Sequence, residues 1–135
     1  CIDGFLFSAN QTKKKVEVWG GKVVRDYLYI DDVLSAYKTI LRTPLEKFER
    51  NRVINFGKGD PVSVVDIAQK LIDISGKDVR LFIVKDEVRP DEVKKLYVSF
   101  AKAKRILDWD PKFSLDEGLR QAWLWYKNYF NEQKR

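Results

Sequence analysis

The stretch Val24-Arg25-Asp26-Tyr27-Leu28-Tyr29-Ile30-Asp31-Asp32-Val33 runs from an extended segment straight into a helix. Tyr27–Ile30, aromatic and β-branched, is predicted as a strand. Asp31 and Asp32 stand where an N-cap is wanted, because a carboxylate accepts from the free amides of a first helical turn. The helix they open carries Val33, Ala36, Tyr37, Ile40 and Leu41 on one stripe and stops before Pro44. A metal pair is the rival reading of the two aspartates. Adjacent helical positions do not share a face and no third ligand is spaced to join them, so capping is preferred.

Working outward, Val16, Val18 and Trp19 read as a short strand ending in the Gly20-Gly21 turn, and residues 4–12 read as the end of a helix. Downstream, Glu46 to Arg52 is charged and reads as a loop. Val53, Ile54 and Phe56 form a strand closed by Gly57-Lys58-Gly59-Asp60-Pro61. Ser63 caps a helix whose apolar face is Val64, Ile67, Ala68, Leu71 and Ile72, and Gly76 ends it in the left-handed conformation. Val79 to Val84 is a strand, Lys85 to Glu92 a polar loop, and Val93 to Val98 extended. A short helix from Ala101 to Leu107 is broken by Asp108-Trp109-Asp110-Pro111. Ser114 and Glu117 form a capping box for a last helix from about Leu115 to Phe130, with Leu115, Leu119, Ala122, Trp123, Tyr126 and Phe130 along one face. This alternation gives a mixed α/β (or α+β) class and one domain.

The chain has 135 residues, enough for a core; 44% are hydrophobic and 34% charged, a globular balance. No apolar run is long enough to span a membrane, and no signal peptide is recognisable at the start; a cytoplasmic location is expected. The single cysteine, Cys1, excludes an internal disulfide, and the absence of histidine excludes the usual zinc sets and any His-based triad. There is no methionine, which suggests a piece cut from something longer or a processed start. The net charge of +6 comes from 26 basic residues interspersed with 20 acidic ones. That pattern fits a solvated face better than a nucleic-acid surface, although a basic domain can still attract a pyrophosphate.

Two features could carry chemistry. Gly57-Lys58-Gly59 looks like part of a phosphate loop, but Asp60-Pro61 follows where either nucleotide fingerprint needs other residues, so a strand-to-helix turn is the better reading. Arg25 and Arg89 each offer a planar fork matching phosphate oxygens. Arg25 follows a glycine turn and Arg89 precedes Pro90; composition alone favours surface ion pairs for both.

Read in order, five segments resemble one family. They are Val16 to Gly21 with Val24 to Val33; Val53 to Gly59 with Val62-Ser63-Val64; Arg89-Pro90-Asp91-Glu92-Val93; Lys102 to Pro111; and Ser114 to Leu119 with Trp125-Tyr126. The family is the extended short-chain dehydrogenases, the NAD-dependent nucleotide-sugar epimerases and dehydratases typified by UDP-glucose 4-epimerase. The form Arg-Pro-x-Glu-Val leans toward the GDP-mannose dehydratase branch.

The resemblance implies roles. Arg25 and Arg89 would clamp the sugar-nucleotide pyrophosphate, Glu92 would hold the ribose hydroxyls, and the strand bearing Val18 and Trp19 would lie along the base. Family chemistry is hydride exchange with NAD, assisted by Tyr-x-x-x-Lys, yet no tyrosine here has lysine four residues later and the glycine-rich NAD turn is missing. The chain is therefore expected to be the C-terminal substrate domain, with part of the last Rossmann strand–helix unit. It would contribute no catalytic, NAD-binding or metal residue, and residues about 22–43 would pack on an N-terminal Rossmann half supplied upstream. A nucleotide-diphosphate sugar is the expected ligand, and a homo-oligomer or domain swap would cover the exposed stripe. A stand-alone, non-catalytic binding or interaction domain of the same ancestry is the alternative. Asp91, Ser99 and Asp108 depart from the family's usual glycine, aspartate and glycine.

Overall fold

The computed structural model describes residues 15–50, 52–78, 80–85 and 92–132; the helix expected over residues 4–12, and Arg89 with its neighbour Asp91, lie outside them. Strand β1 (Lys15–Trp19) and β2 (Val24–Asp26) precede helix α1 (Ile30–Arg42) and a 3-10 turn at Leu45–Phe48. Strand β3 (Pro61–Ser63) leads into α2 (Val64–Ser75), followed by β4 (Arg80–Lys85), β5 (Lys95–Leu96), α3 (Ala101–Leu107) and α4 (Leu115–Glu132). β1 and β4 pair in parallel, while a second sheet has the order β3-β2-β5, with β2 antiparallel to β3 and parallel to β5. The class is mixed α/β, as the alternation of elements implied.

Local chemistry sets the helix ends. The Ser63 hydroxyl accepts from the Asp66 amide at 3.1 Å, and Gly76 closes α2 at φ 63°. Before α4, Ser114 N–H donates to Glu117 Oε2 at 2.8 Å while Glu117 N–H donates to Ser114 Oγ at 3.2 Å, a reciprocal capping box. The Ser114 hydroxyl and amide hold the Glu117 carboxyl below its ordinary value. Ile67, Ala68, Leu71 and Ile72 of α2 pack with Leu119 and Trp123 of α4 and Val18 of β1 in one core. A second core joins Ala36 of α1 to Ala103, Leu107 and Trp109, and the Trp109 indole N–H donates to Ser35 Oγ at 2.8 Å.

Several expectations are corrected. Tyr29, in extended conformation and with no side-chain cap bond, takes the N-cap position of α1, so Asp31 and Asp32 fall inside the first turn. Asp32 is instead buried, 1% exposed, and accepts from Lys112 N–H at 2.8 Å and Phe113 N–H at 3.2 Å. Its carboxylate bridges α1 to the segment entering α4. Tyr27–Tyr29 and Val53–Phe56 belong to no ladder among the described residues; β2 lies three residues earlier and β3 opens at Pro61. A strand exists only against a neighbour, and side-chain pattern cannot say which extended stretch finds one. Of the charged loop, Leu45–Phe48 forms a 3-10 turn. The stripe expected on α1 also divides. Ala36 and Ile40 face the core, whereas Ile30, Leu34, Tyr37 and Leu41 form an outer row, with Leu41 84% exposed.

Among the described residues Asp108 is the one non-glycine with positive φ, 52°, and it ends α3 by donating its N–H to Lys104 O at 3.0 Å. A side chain there strains the left-handed backbone. Asp108→Gly is expected to raise unfolding free energy by about 0.5–1 kcal/mol, relief of strain exceeding the added chain entropy. Urea denaturation checks this; a lower midpoint would show that the aspartate makes a compensating contact.

Candidate functional site

Strand β2 places three consecutive side chains at the centre of the three-stranded sheet. Main-chain bonds fix it on both sides, with Val24 N–H donating to Lys94 O at 2.8 Å and Arg25 in register with Val62 and Leu96. Arg25 Nη1 donates to Val24 O at 2.9 Å and to Val93 O at 2.8 Å, and Nη2 to Glu92 Oε1 at 3.0 Å. The paired side chains are 27% and 35% exposed, so the fork sits at the surface with one side anchored. Three of the five guanidinium N–H groups are thus committed to described residues.

The next residue works differently. Asp26 accepts from the Lys58 and Gly59 amides at 3.1 and 3.0 Å, pinning the Gly57-Lys58-Gly59 turn to the end of β2. A cradle for a dinucleotide phosphate needs such amides free. These point at a carboxylate, so the turn does not fit NAD. After Asp26 comes Tyr27, whose phenol is pushed up by burial, partly opposed by the Arg25 charge.

Arg25 and Glu92, singled out separately in the sequence, are therefore brought together, while Arg89 is outside the described residues. The Val18 side chain belongs to the core with Ile67 and Leu71. The Trp19 side chain is outside the description. Asp26 was missed as a positioning group. The signal was present, since an acid beside the arginine could satisfy a turn with two adjacent amides, but the two lie 32 and 33 residues apart. An apolar cleft of about 220 Å³ between Tyr29, Phe113, Leu115 and Gly118 has no charged group among its described lining residues. Among the described residues no cluster of His, Cys, Asp or Glu could hold a metal, and no helix is long and apolar enough to cross a membrane.

A family model described as GDP-mannose 4,6 dehydratase matches residues 5–122. The chain belongs to this family. Similar proteins extend the assignment of the GDP-mannose 4,6-dehydratase family member to the extended short-chain nucleotide-sugar epimerases and dehydratases, as the five motifs implied. UDP-glucose 4-epimerase 4 of Oryza sativa subsp. japonica is 32% identical over 105 residues, covering 78% of this chain and 28% of the rice protein. The structure of UDP-glucose 4-epimerase from Thermotoga maritima with UDP-glucose is 30% identical with a TM-score of 0.78, over 99% of this chain and 40% of that one. The structure of dTDP-glucose 4,6-dehydratase from Bacillus anthracis in complex with NAD is 26% identical with a TM-score of 0.76, over 96% and 40%. This family member spans about a third of the length of the curated relatives it matches.

Proposed function

We propose that this chain is the nucleotide-diphosphate-sugar-binding portion of an NAD-dependent nucleotide-sugar epimerase or dehydratase. In this reading hydride chemistry and the NAD site reside in an N-terminal half, against which residues about 22–43 pack. NAD supplies the hydride acceptor in that half; none of the present residues is assigned a catalytic step.

The observation that carries the reading is the Arg25 fork, anchored on β2 beside Glu92 at positions that match the family motifs. A diphosphate is a fixed, doubly charged target, and a planar cation held at the surface meets it in two parallel bonds. Arg89 is the second cation of the clamp, and Glu92 has a second carboxylate oxygen for a ribose hydroxyl. Gripping the nucleotide end, far from the reacting sugar carbon, supplies orientation and binding energy that the chemical step can use. The outer row on α1, Ile30, Leu34, Tyr37 and Leu41, favours an enzyme with a further half over a self-sufficient binding domain, because a lone domain rarely leaves so continuous an apolar strip to water.

In the intact protein, Arg25→Ala is expected to raise KM for the sugar nucleotide about tenfold with kcat little changed, the loss of about one charge-assisted bond. Steady-state kinetics decides it; an unchanged KM removes Arg25 from the site and the reading with it.

A further inference from the structure

A carboxylate beside an anion site is a cost to be explained, because it repels the diphosphate that Arg25 is proposed to attract. Resting on that reading, we infer that Glu92 is a positioning residue for Arg25: it holds the guanidinium in the orientation that receives a diphosphate, whatever it also does for ribose. The fork clasps a single step of chain. One arm reaches the Glu92 carboxylate at 3.0 Å and the other the adjoining Val93 carbonyl at 2.8 Å. That step is itself fixed to β2, because Val24 N–H donates to Lys94 O at 2.8 Å. The arginine and the segment that aims it are thus zipped together across 67 residues of sequence.

An unanchored arginine samples many rotamers and loses them on binding, whereas an anchored fork has already given them up. Removing the anchor costs affinity even though it removes a negative charge. The effect depends on Arg25 being present and is indifferent to the sugar hydroxyls of the nucleotide. A role confined to ribose has the opposite signature.

The test is calorimetric titration of the intact protein with UDP and with 2′,3′-dideoxyuridine diphosphate, which has no ribose hydroxyls. Glu92→Ala is expected to weaken the dideoxy ligand about fivefold, the value of one immobilised side chain, and UDP by at least as much. Glu92→Gln, which keeps an acceptor oxygen at the same reach, is expected to restore most of the loss. In an Arg25→Ala background, Glu92→Ala is expected to change nothing further for the dideoxy ligand. A loss confined to UDP, or one that persists undiminished without Arg25, overturns the positioning role while leaving the clamp intact. Wild-type binding of both ligands by Arg25→Ala alone would instead remove the clamp itself, and with it the inference.

Discussion

Asp32→Ala is expected to lower folding stability by about 4 kcal/mol, the largest single loss among the sites described. The carboxylate is 1% exposed and takes two main-chain amides, Lys112 and Phe113, at 2.8 and 3.2 Å. Bonds to a charged acceptor contribute about 1.5–3 kcal/mol each, and a buried amide left without one costs about 1–3 kcal/mol. The aspartate also lies in the first turn of α1, where negative charge is favoured by the helix dipole. Phe113, held by this bond, packs its ring on Tyr29 at 4.7 Å, so the loss spreads to the seam between α1 and α4. Asp32→Asn keeps one acceptor but turns an NH2 group toward the second amide, and is expected to recover less than half. Urea unfolding measures both; a change under about 1 kcal/mol for the alanine variant would show that solvent or another group takes over the two amides.

Gly57→Ala is expected to be nearly as damaging, about 3 kcal/mol, for lack of space. A Cβ at Gly57 would overlap Val98 Cγ2 and lie 2.6 Å from Asp26 Oδ2. Neither neighbour can yield cheaply. Val98 belongs to the segment that continues β5, and the Asp26 oxygen is holding Gly59 N–H at 3.0 Å. Relief requires the turn to lift off the carboxylate, which releases two amides and loosens β2 next to Arg25. A melting temperature lower by roughly 10 °C is expected for a chain of this size. The nucleotide should bind more weakly as well. A variant that melts like the parent would mean that the turn does not approach β2 this closely.

The parts of the fold that were legible in the sequence are those whose causes are local. Ser63, Gly76 and the Ser114–Glu117 pair each act within a few residues of themselves, and the apolar face of α2 is written at helical spacing. What was not legible depends on partners far along the chain. Asp32 has the residue type and position of an N-cap, but two amides 80 and 81 residues away compete for it and win. Tyr27–Tyr29 and Val53–Phe56 have strand composition, yet pairing goes to Val24–Asp26 and Pro61–Ser63, because the main-chain ladder needs a neighbour rather than a pattern. On α1, periodicity found an apolar stripe without showing that Tyr37 and Leu41 turn away from Ala36. At the site, family resemblance singled out Arg25 and Glu92 as ligands of different parts of a nucleotide. That one holds the other could be seen only once both stood in the same place.

The most direct measurement is a crystal structure of the intact protein with a nucleoside diphosphate bound. Diphosphate oxygens are expected within hydrogen-bonding distance of the Arg25 guanidinium, with Glu92 still on its other side. A diphosphate seated elsewhere, with Arg25 turned to solvent and touching no phosphate oxygen, would contradict the proposed clamp.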